Sequence, residues 1–503
     1  MKIVLINCLS FGGNNFEPPI GITMIGGYLK SKGINVKIID GELLKWNNEK
    51  IESELKKDKP DIVGVTSITY NRFEALDMLK RVKKLGIKTV YGGVHATFLY
   101  NDLMMRYPFI DIICIGEGEE TMLEICQNKE LKSIKGIIYR KDNKIFLNNK
   151  REFIKNIDNL PPGWDLLAME KYQYYGIFAS RGCPFNCNFC ASPKLWERKL
   201  RTRSAKKVVD EIEYLIKKYG KKKVHIKDDT FTARKKWAHE VCDEIIKRKL
   251  NIQWECLGRI DTVDLKLLKK LKNAGCVMIE YGIESGNNKI LNSINKMITT
   301  KDIIKAIELT KKANLNYTAF FILGHPGETK KSINETFEFA WKIRPLSLSF
   351  CPLDIFPGTQ IYYESLKNHK LNNFSWNDKK FKNLQGQNVP RYENPELDEK
   401  KLEEYSKKFY ARYAFMTLFD FEGLKSFKYL FNNEYVPFHL LIKNLNDLKI
   451  ILNSFFYSIL HKGNILKKIF GLIVLPFFLI RTLKIYLRKI KEVIKNLLRI
   501  STS

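Results

Sequence analysis

Short apolar runs alternate with amphipathic stretches from the first residue to about residue 130. The apolar runs are "KIVLIN", "VKIID", "DIVGVTS", "KTVYGG" and "DIICIGEG". Between them lie stretches with helical periodicity, such as "GITMIGGYLKSKG" and "NRFEALDMLKRVKKLG". Strands separated by helices of this length predict an α/β fold with a doubly wound parallel sheet over residues 1–135. "GIIYRKDNKIFL" reads as a hairpin, and "NIDNLPPGWDLL" as a linker marked by Pro-Pro-Gly; together they fill residues 136–169. A second alternating series follows over residues 170–360. Its strands begin near Ile177, Val224, Ile252, Val277, Tyr317 and Leu346, and helices such as "SAKKVVDEIEYLIKKYG" separate them. Six such units predict a partial (β/α)6 barrel, with its chemistry at the carboxyl ends of the strands. Residues 361–503 turn helical, aromatic and basic, which predicts a C-terminal extension.

Composition narrows the classes. A chain of 503 residues with 45% hydrophobic positions forms several packed cores. The charge of +31 raises nucleic acid as a partner. The lysines are dispersed, however, and no basic motif interleaved with aromatics appears, so nucleic acid is not expected. "MKIVLINCLS" has the pattern of a buried strand rather than a signal peptide. Ten cysteines, seven of them scattered singly, fit a reducing cytoplasm rather than a disulfide framework. Of these, Cys242, Cys256, Cys276 and Cys351 read as core residues. The polar loops after the first strands, "TSITYN", "GGVHATF" and "GEGEET", mark the ligand edge of the first sheet. G-x-G-x-x-G is absent, which excludes the dinucleotide reading.

The tail is different. Ile469 to Ile480 is an apolar run containing Pro476, too short to span a bilayer. After it, Leu483, Leu487, Ile490, Ile494 and Leu497 form one helical stripe, and Arg481, Lys484, Arg488, Lys491, Lys495 and Arg499 another. Two readings stand: an in-plane anchor on an anionic membrane through residues 463–503, or a helix packed on the barrel with a solvated basic face. The anchor would place a cytoplasmic protein at the membrane, against lipids or other hydrophobic molecules.

Three cysteines, Cys183, Cys187 and Cys190, fall within "RGCPFNCNFCASP". The next thiol is Cys242 and the next imidazole His225, both remote, so a four-ligand zinc site lacks its fourth donor. Three close thiolates suit a [4Fe–4S] cluster with one iron left open. With this spacing the chain resembles the radical S-adenosylmethionine (SAM) superfamily. The resemblance implies that SAM occupies the open iron and that one electron cleaves it to a 5′-deoxyadenosyl radical. It implies that Phe189 lies near the adenine, and that Asp228 and Asp229 of "HIKDDTF" hold the amino group. It further implies Arg259 of "ECLGRID" as partner of the SAM carboxylate, Glu284 of "IEYGIESG" at the ribose, and Gly324 of "FFILGHPGET" on the adenine side.

The first 360 residues together resemble the cobalamin-binding radical SAM enzymes, through "EPPIGITMIGGYLKSKG", "YGGVHATF" and "DIICIGEGEETMLEI". The resemblance implies a corrin bound by Thr66, Ser67, Gly92, Gly93, His95, Glu117 and Gly118. The D-x-H-x-x-G motif of histidine-ligated cobalamins is absent, so His95 is expected to make a loop hydrogen bond rather than to ligate cobalt. The competing reading of this domain is a flavodoxin-like fold that binds no corrin. The implied reaction is methylation of an unactivated carbon by methylcobalamin, fed by a flavodoxin- or ferredoxin-type electron donor. Radical ring closure without methyl transfer is the alternative within the family. A non-catalytic cobalamin or redox sensor is the alternative outside it. A methylthiotransferase is disfavoured because Cys8, Cys114 and Cys126 form no second cluster motif.

Overall fold

The structure, a computed structural model, describes residues 1–9, 17–368, 394 and 396–418. The chain divides into two compact units. One holds Met1–Tyr281, Asn292–Leu315 and the described part of Asp354–Tyr392; the other holds Gly282–Leu291, Asn316–Leu353 and the described part of Glu393–Ser503.

The first unit opens with β1 (Lys2–Asn7), β2 (Asn35–Asp40), β3 (Ile62–Thr66), β4 (Lys88–Gly92) and β5 (Ile112–Cys114), all parallel. Alternation along each strand feeds two cores. Val4, Ile6, Val63 and Val65 pack on one face, and Ile3, Leu5, Ile62 and Val90 on the other. The order β2-β1-β3-β4-β5 reverses direction at β1, so the crevice beside β1 and β3 is where such a sheet takes a ligand. The expected hairpin, β6 (Ile137–Lys141) and β7 (Lys144–Leu147), is present. It is not a separate connector, because β6 pairs antiparallel with β5 and the hairpin completes a seven-stranded mixed sheet. Strand β5 stops at Cys114, and "GEG" is a loop instead of strand.

The same unit then carries β8 (Tyr175–Ile177), a two-residue antiparallel ribbon of β9 (Ser180–Arg181) and β10 (Arg201–Thr202), and the parallel strands β11 (Lys223–Ile226), β12 (Gln253–Gly258) and β13 (Cys276–Glu284). Three of the intervening helices start on sequence-encoded caps. Ser204 caps Ala205–Tyr219, Asp264 caps Leu265–Asn273, and Thr299 with Asp302 forms a capping box on Thr300–Lys312. In the second unit β14 (Asn316–Leu323) and β15 (Ser347–Pro352) run parallel around the helix Lys330–Ile343. The strand positions thus match the six predicted for the second series.

The described helices of the C-terminal extension fall in both units. Helix Gln360–Lys367 lies in the first unit, whereas Glu399–Leu418 belongs to the second and packs on β15. Phe409 stacks on Phe337 at 4.5 Å, and Tyr413 donates to the Pro345 carbonyl at 2.5 Å. The predicted amphipathic stretch over residues 463–503 lies outside the described residues. Among those described, no helix is long and apolar enough to cross a membrane.

Candidate functional site

The chain leaves β8 at Ile177 and is caught at once by Asp228, the second residue after β11. Its Oδ1 accepts the backbone N–H groups of Ala179 and Ser180 at 2.8 Å each, and its Oδ2 accepts the Ser180 hydroxyl at 2.7 Å. Burial pushes this carboxyl up to about 7, against the pull of those hydrogen bonds. Both oxygens thus accept hydrogen bonds from the turn that leads to the cysteine loop. Asp229 keeps the open position. It accepts the Ser192 hydroxyl at 2.6 Å, faces the cavity described below, and is raised by burial.

The cysteine loop begins two residues later. Gly182 has a φ of +94°, and a Cβ there would sit 2.1 Å from the Lys199 carbonyl oxygen, so only glycine lets the β9–β10 ribbon close. Cys187 is buried, while Cys183 and Cys190 are partly open. Cys183 Sγ lies 3.6 Å from Thr230 Oγ1, and Cys190 Sγ accepts the Ser192 N–H at 3.4 Å. Burial raises the Cys183 thiol and pushes Cys190 up to about 12, so a bound cation is what would draw out thiolates here. Among the described residues no three His, Cys, Asp or Glu side chains converge as a single metal ion requires. A [4Fe–4S] cluster would take the three thiolates on three different irons.

A second segment pins this loop. Asn188 donates from its backbone to the Ile294 carbonyl at 3.2 Å and from its side chain to that of Ser293 at 2.9 Å. Lys296, itself buried, sets its ammonium 5.9 Å from the centre of the Phe189 ring. Arg259, the first residue after β12, does not present a free fork. Its Nε donates to Asp261 at 2.7 Å, one Nη to the Lys296 carbonyl and the other to Cys187 Sγ at 3.4 Å.

Glu284 and Gly324 lie in the second unit. Glu284 ends β13 buried with a φ of +68°. Gly324 follows β14 and donates its N–H to Glu328, whose carboxyl burial pushes up to about 7. Leu402 covers the Gly324 Cα, since a Cβ there would meet it at 2.7 Å, so this glycine presents a covered rather than an open surface.

Within the first unit a cavity of about 690 Å³ runs along the carboxyl ends of β1, β3 and β4 to the start of the cysteine loop. Its wall includes Thr66, Ser67, Gly92, Gly93, Glu117 and Gly118 on one side, and Arg181, Lys227 and Asp229 on the other. Above Gly21, Gly92 and Gly116 nothing lies within 4 Å of where a Cβ would be, which leaves a backbone-floored cradle. Gly93 is different, because its φ of +95° and a Cβ position 2.3 Å from the Ser67 carbonyl oxygen make it a packing glycine. His95 does not line the cavity. It is buried in the helix Val94–Arg106 with Nδ1 3.3 Å from Thr69 Oγ1, and burial lowers its ring to about 3. The hydrogen bond expected of His95 is the one to Thr69.

Glu117 lines the cavity and is also tied to the cysteine-loop ribbon. It accepts from Arg181 at 2.6 Å, from Arg201 at 2.8 Å and from the Ile154 N–H at 2.9 Å. Glu119 accepts from the other arm of Arg181 at 2.5 Å. Burial works against the Arg181 charge, yet these two carboxylates hold it above its ordinary range. Glu117 is thus a clamp between the loop after β5 and the ribbon that leads to Cys183. Arg181, Arg201, Glu119 and Lys296 were not singled out by sequence reasoning. The available signal was "GEGEE", three acids where one suffices for a loop, and an arginine directly before Gly182.

Profiles of known families match in the same order. The B12 binding domain matches residues 13–126 and the Radical SAM superfamily matches residues 177–340. An uncharacterised methyltransferase of Pyrococcus horikoshii is 34% identical over 371 residues, which cover 71% of this chain and 81% of that protein. The chain belongs to the cobalamin-binding radical SAM family. This family member is an enzyme of [4Fe–4S], SAM and cobalamin chemistry. It is also 33% identical over 368 residues to an anaerobic magnesium-protoporphyrin IX monomethyl ester cyclase of Rubrivivax gelatinosus, covering 69% of the chain and 66% of the cyclase. Among solved structures, the cobalamin-dependent SAM radical enzyme OxsB, with aqua-cobalamin and SAM bound, matches with a TM-score of 0.70 at 18% identity, over 97% of this chain and 80% of that one. The methyltransferase TsrM of Kitasatospora setae, with cobalamin and a [4Fe–4S] cluster, matches with a TM-score of 0.64 at 17% identity, over 73% of this chain and 75% of that one. Both likenesses are of fold.

Proposed function

We propose that this radical SAM enzyme methylates an unactivated carbon of a hydrophobic, lipid-like substrate. The observation that carries the reading is the shared cavity, whose wall passes from the glycine cradle of the first sheet to Asp229 beside the cysteine loop. A methyl donor and a radical source serving one carbon need such a common space. When bound, the three cofactors supply a carbon-centred radical and a transferable methyl group. The chain's share is binding, orientation and exclusion of water. In this proposal Cys183, Cys187 and Cys190 hold the cluster, while Phe189 and Asp229 face SAM. Thr66, Ser67, Gly92 and Gly118 line the corrin, and no histidine reaches cobalt. An electron donor of the flavodoxin or ferredoxin type, and membrane contact through residues 463–503, complete it.

The methyltransferase names among the relatives support methyl transfer, and the cyclase relative keeps ring closure as the second reading. Comparison of lipid and metabolite extracts from cells with and without the protein identifies the substrate. Supplied to reconstituted enzyme, that substrate should yield 5′-deoxyadenosine and S-adenosylhomocysteine together. Deoxyadenosine alone would select ring closure.

A further inference from the structure

Arg259 sits where a SAM-carboxylate partner is expected, yet its donors point elsewhere. The backbone fixes its origin: its N–H donates to Thr232 Oγ1 at 3.2 Å and its carbonyl accepts the Thr262 hydroxyl at 2.8 Å. Phe185 fixes the plane, with the guanidinium carbon 4.0 Å from the ring centre. Asp261 takes Nε, the Lys296 carbonyl takes one Nη, and the second Nη is aimed at Cys187 Sγ. The side chain is only 5% exposed, so this cation acts on its neighbours with little solvent screening.

We propose that Arg259 is a positioning residue that raises the reduction potential of the cluster through its hydrogen bond to the Cys187 sulfur. The inference rests on the cluster reading above. Reduction adds one electron, supplied by the flavodoxin- or ferredoxin-type donor, and therefore one negative charge to the cluster and its thiolates. No bond breaks and no proton moves. A buried guanidinium donating to one of those sulfurs stabilises the more negative state, and hydrogen bonds to sulfur are among the main determinants of such potentials. Asp261 moderates the effect, because it neutralises part of the same cation.

The test is potentiometric titration of the anaerobically reconstituted full-length protein without SAM, followed by the electron paramagnetic resonance of the reduced cluster. SAM binding is measured in parallel by equilibrium dialysis. Arg259→Gln should disfavour reduction about tenfold, a shift of about 59 mV to more negative potential for a one-electron couple. Arg259→Lys, which keeps the charge and loses the fork, should shift it less in the same direction. Asp261→Asn should move it to more positive potential. An unchanged potential in Arg259→Gln with full cluster content, accompanied by weakened SAM binding, would return Arg259 to the carboxylate role and overturn the proposal. Should the Arg259 variants fail to hold a cluster, Asp261→Asn decides, and an unmoved or lowered potential there refutes it. Absence of any cluster signal in the wild-type protein would instead refute the cluster reading itself.

Discussion

Two adjacent aspartates after β11 show how far residue type and position reach, and where they stop. "KDD" announces an acidic strand end, but only the fold assigns Asp228 inward and Asp229 to the cavity. The inward one has a consequence for pH. Its folded carboxyl titrates near 7, while an unfolded aspartate titrates at about 3.9, so folding takes up a proton between those values. Stability from this group is greatest at low pH, falls as pH rises through about 7, and is level above. Urea midpoints measured across this range should show that fall, and Asp228→Asn should remove part of it. Glu328, whose carboxyl is pushed up to about 7, and Asp40, Asp229 and Glu255, which burial also raises, contribute to the remainder. Equal slopes in wild type and variant would contradict the assignment. Glu117→Gln has a different expected outcome. It takes the negative charge from two buried guanidinium groups, and loss of one partner of a buried pair costs about 3–5 kcal/mol. Denaturant unfolding of the variant measures it. His95 gives a spectroscopic prediction: bound cob(II)alamin should show no hyperfine coupling to a protein imidazole nitrogen, and His95→Gln should leave the spectrum as it was.

At the scale of elements, periodicity located nearly every strand, and some of the flanking helices are marked by local caps. Ser204, Asp264 and Thr299 are such caps, read directly from neighbouring residues. The attachment of β6 and β7 to the first sheet was not legible, since pairing with β5 is a long-range choice made by edge hydrogen bonds. The role of the helix Glu399–Leu418 was hidden for the same reason: its aromatic residues Phe409 and Tyr413 find their partners more than sixty residues upstream. The short β9–β10 ribbon was also missed, because two residues per strand carry no period. Its dependence on Gly182 is testable. Gly182→Ala meets the Lys199 carbonyl and should lower cluster content after reconstitution, read by iron and sulfide analysis, with helix content unchanged by circular dichroism.

For the whole molecule, the order of parts was legible from pattern and motif, and the family profiles fall where the pattern placed the two sheets. The division into units was not. β13 straddles the boundary, so the second alternating series contributes to both units. Membrane contact through residues 463–503 belongs at this scale and rests on the sequence stripes alone. Full-length protein should co-sediment with anionic liposomes more than a form ending before Gly463. Equal sedimentation would remove the anchor and the lean toward a lipid substrate.

The clamp at Glu117 also bears on how this molecule can change over generations. One carboxylate serves two arginines from the ribbon and a backbone N–H from Ile154, so no single substitution at any of the three side chains is neutral. Drift at this joint must proceed in paired steps, an acid lost together with the cations it balances. Exchanging the first sheet for that of a relative should therefore succeed only when positions 117, 119, 181 and 201 are carried over as a set. A mismatched set would leave uncompensated charge at the joint.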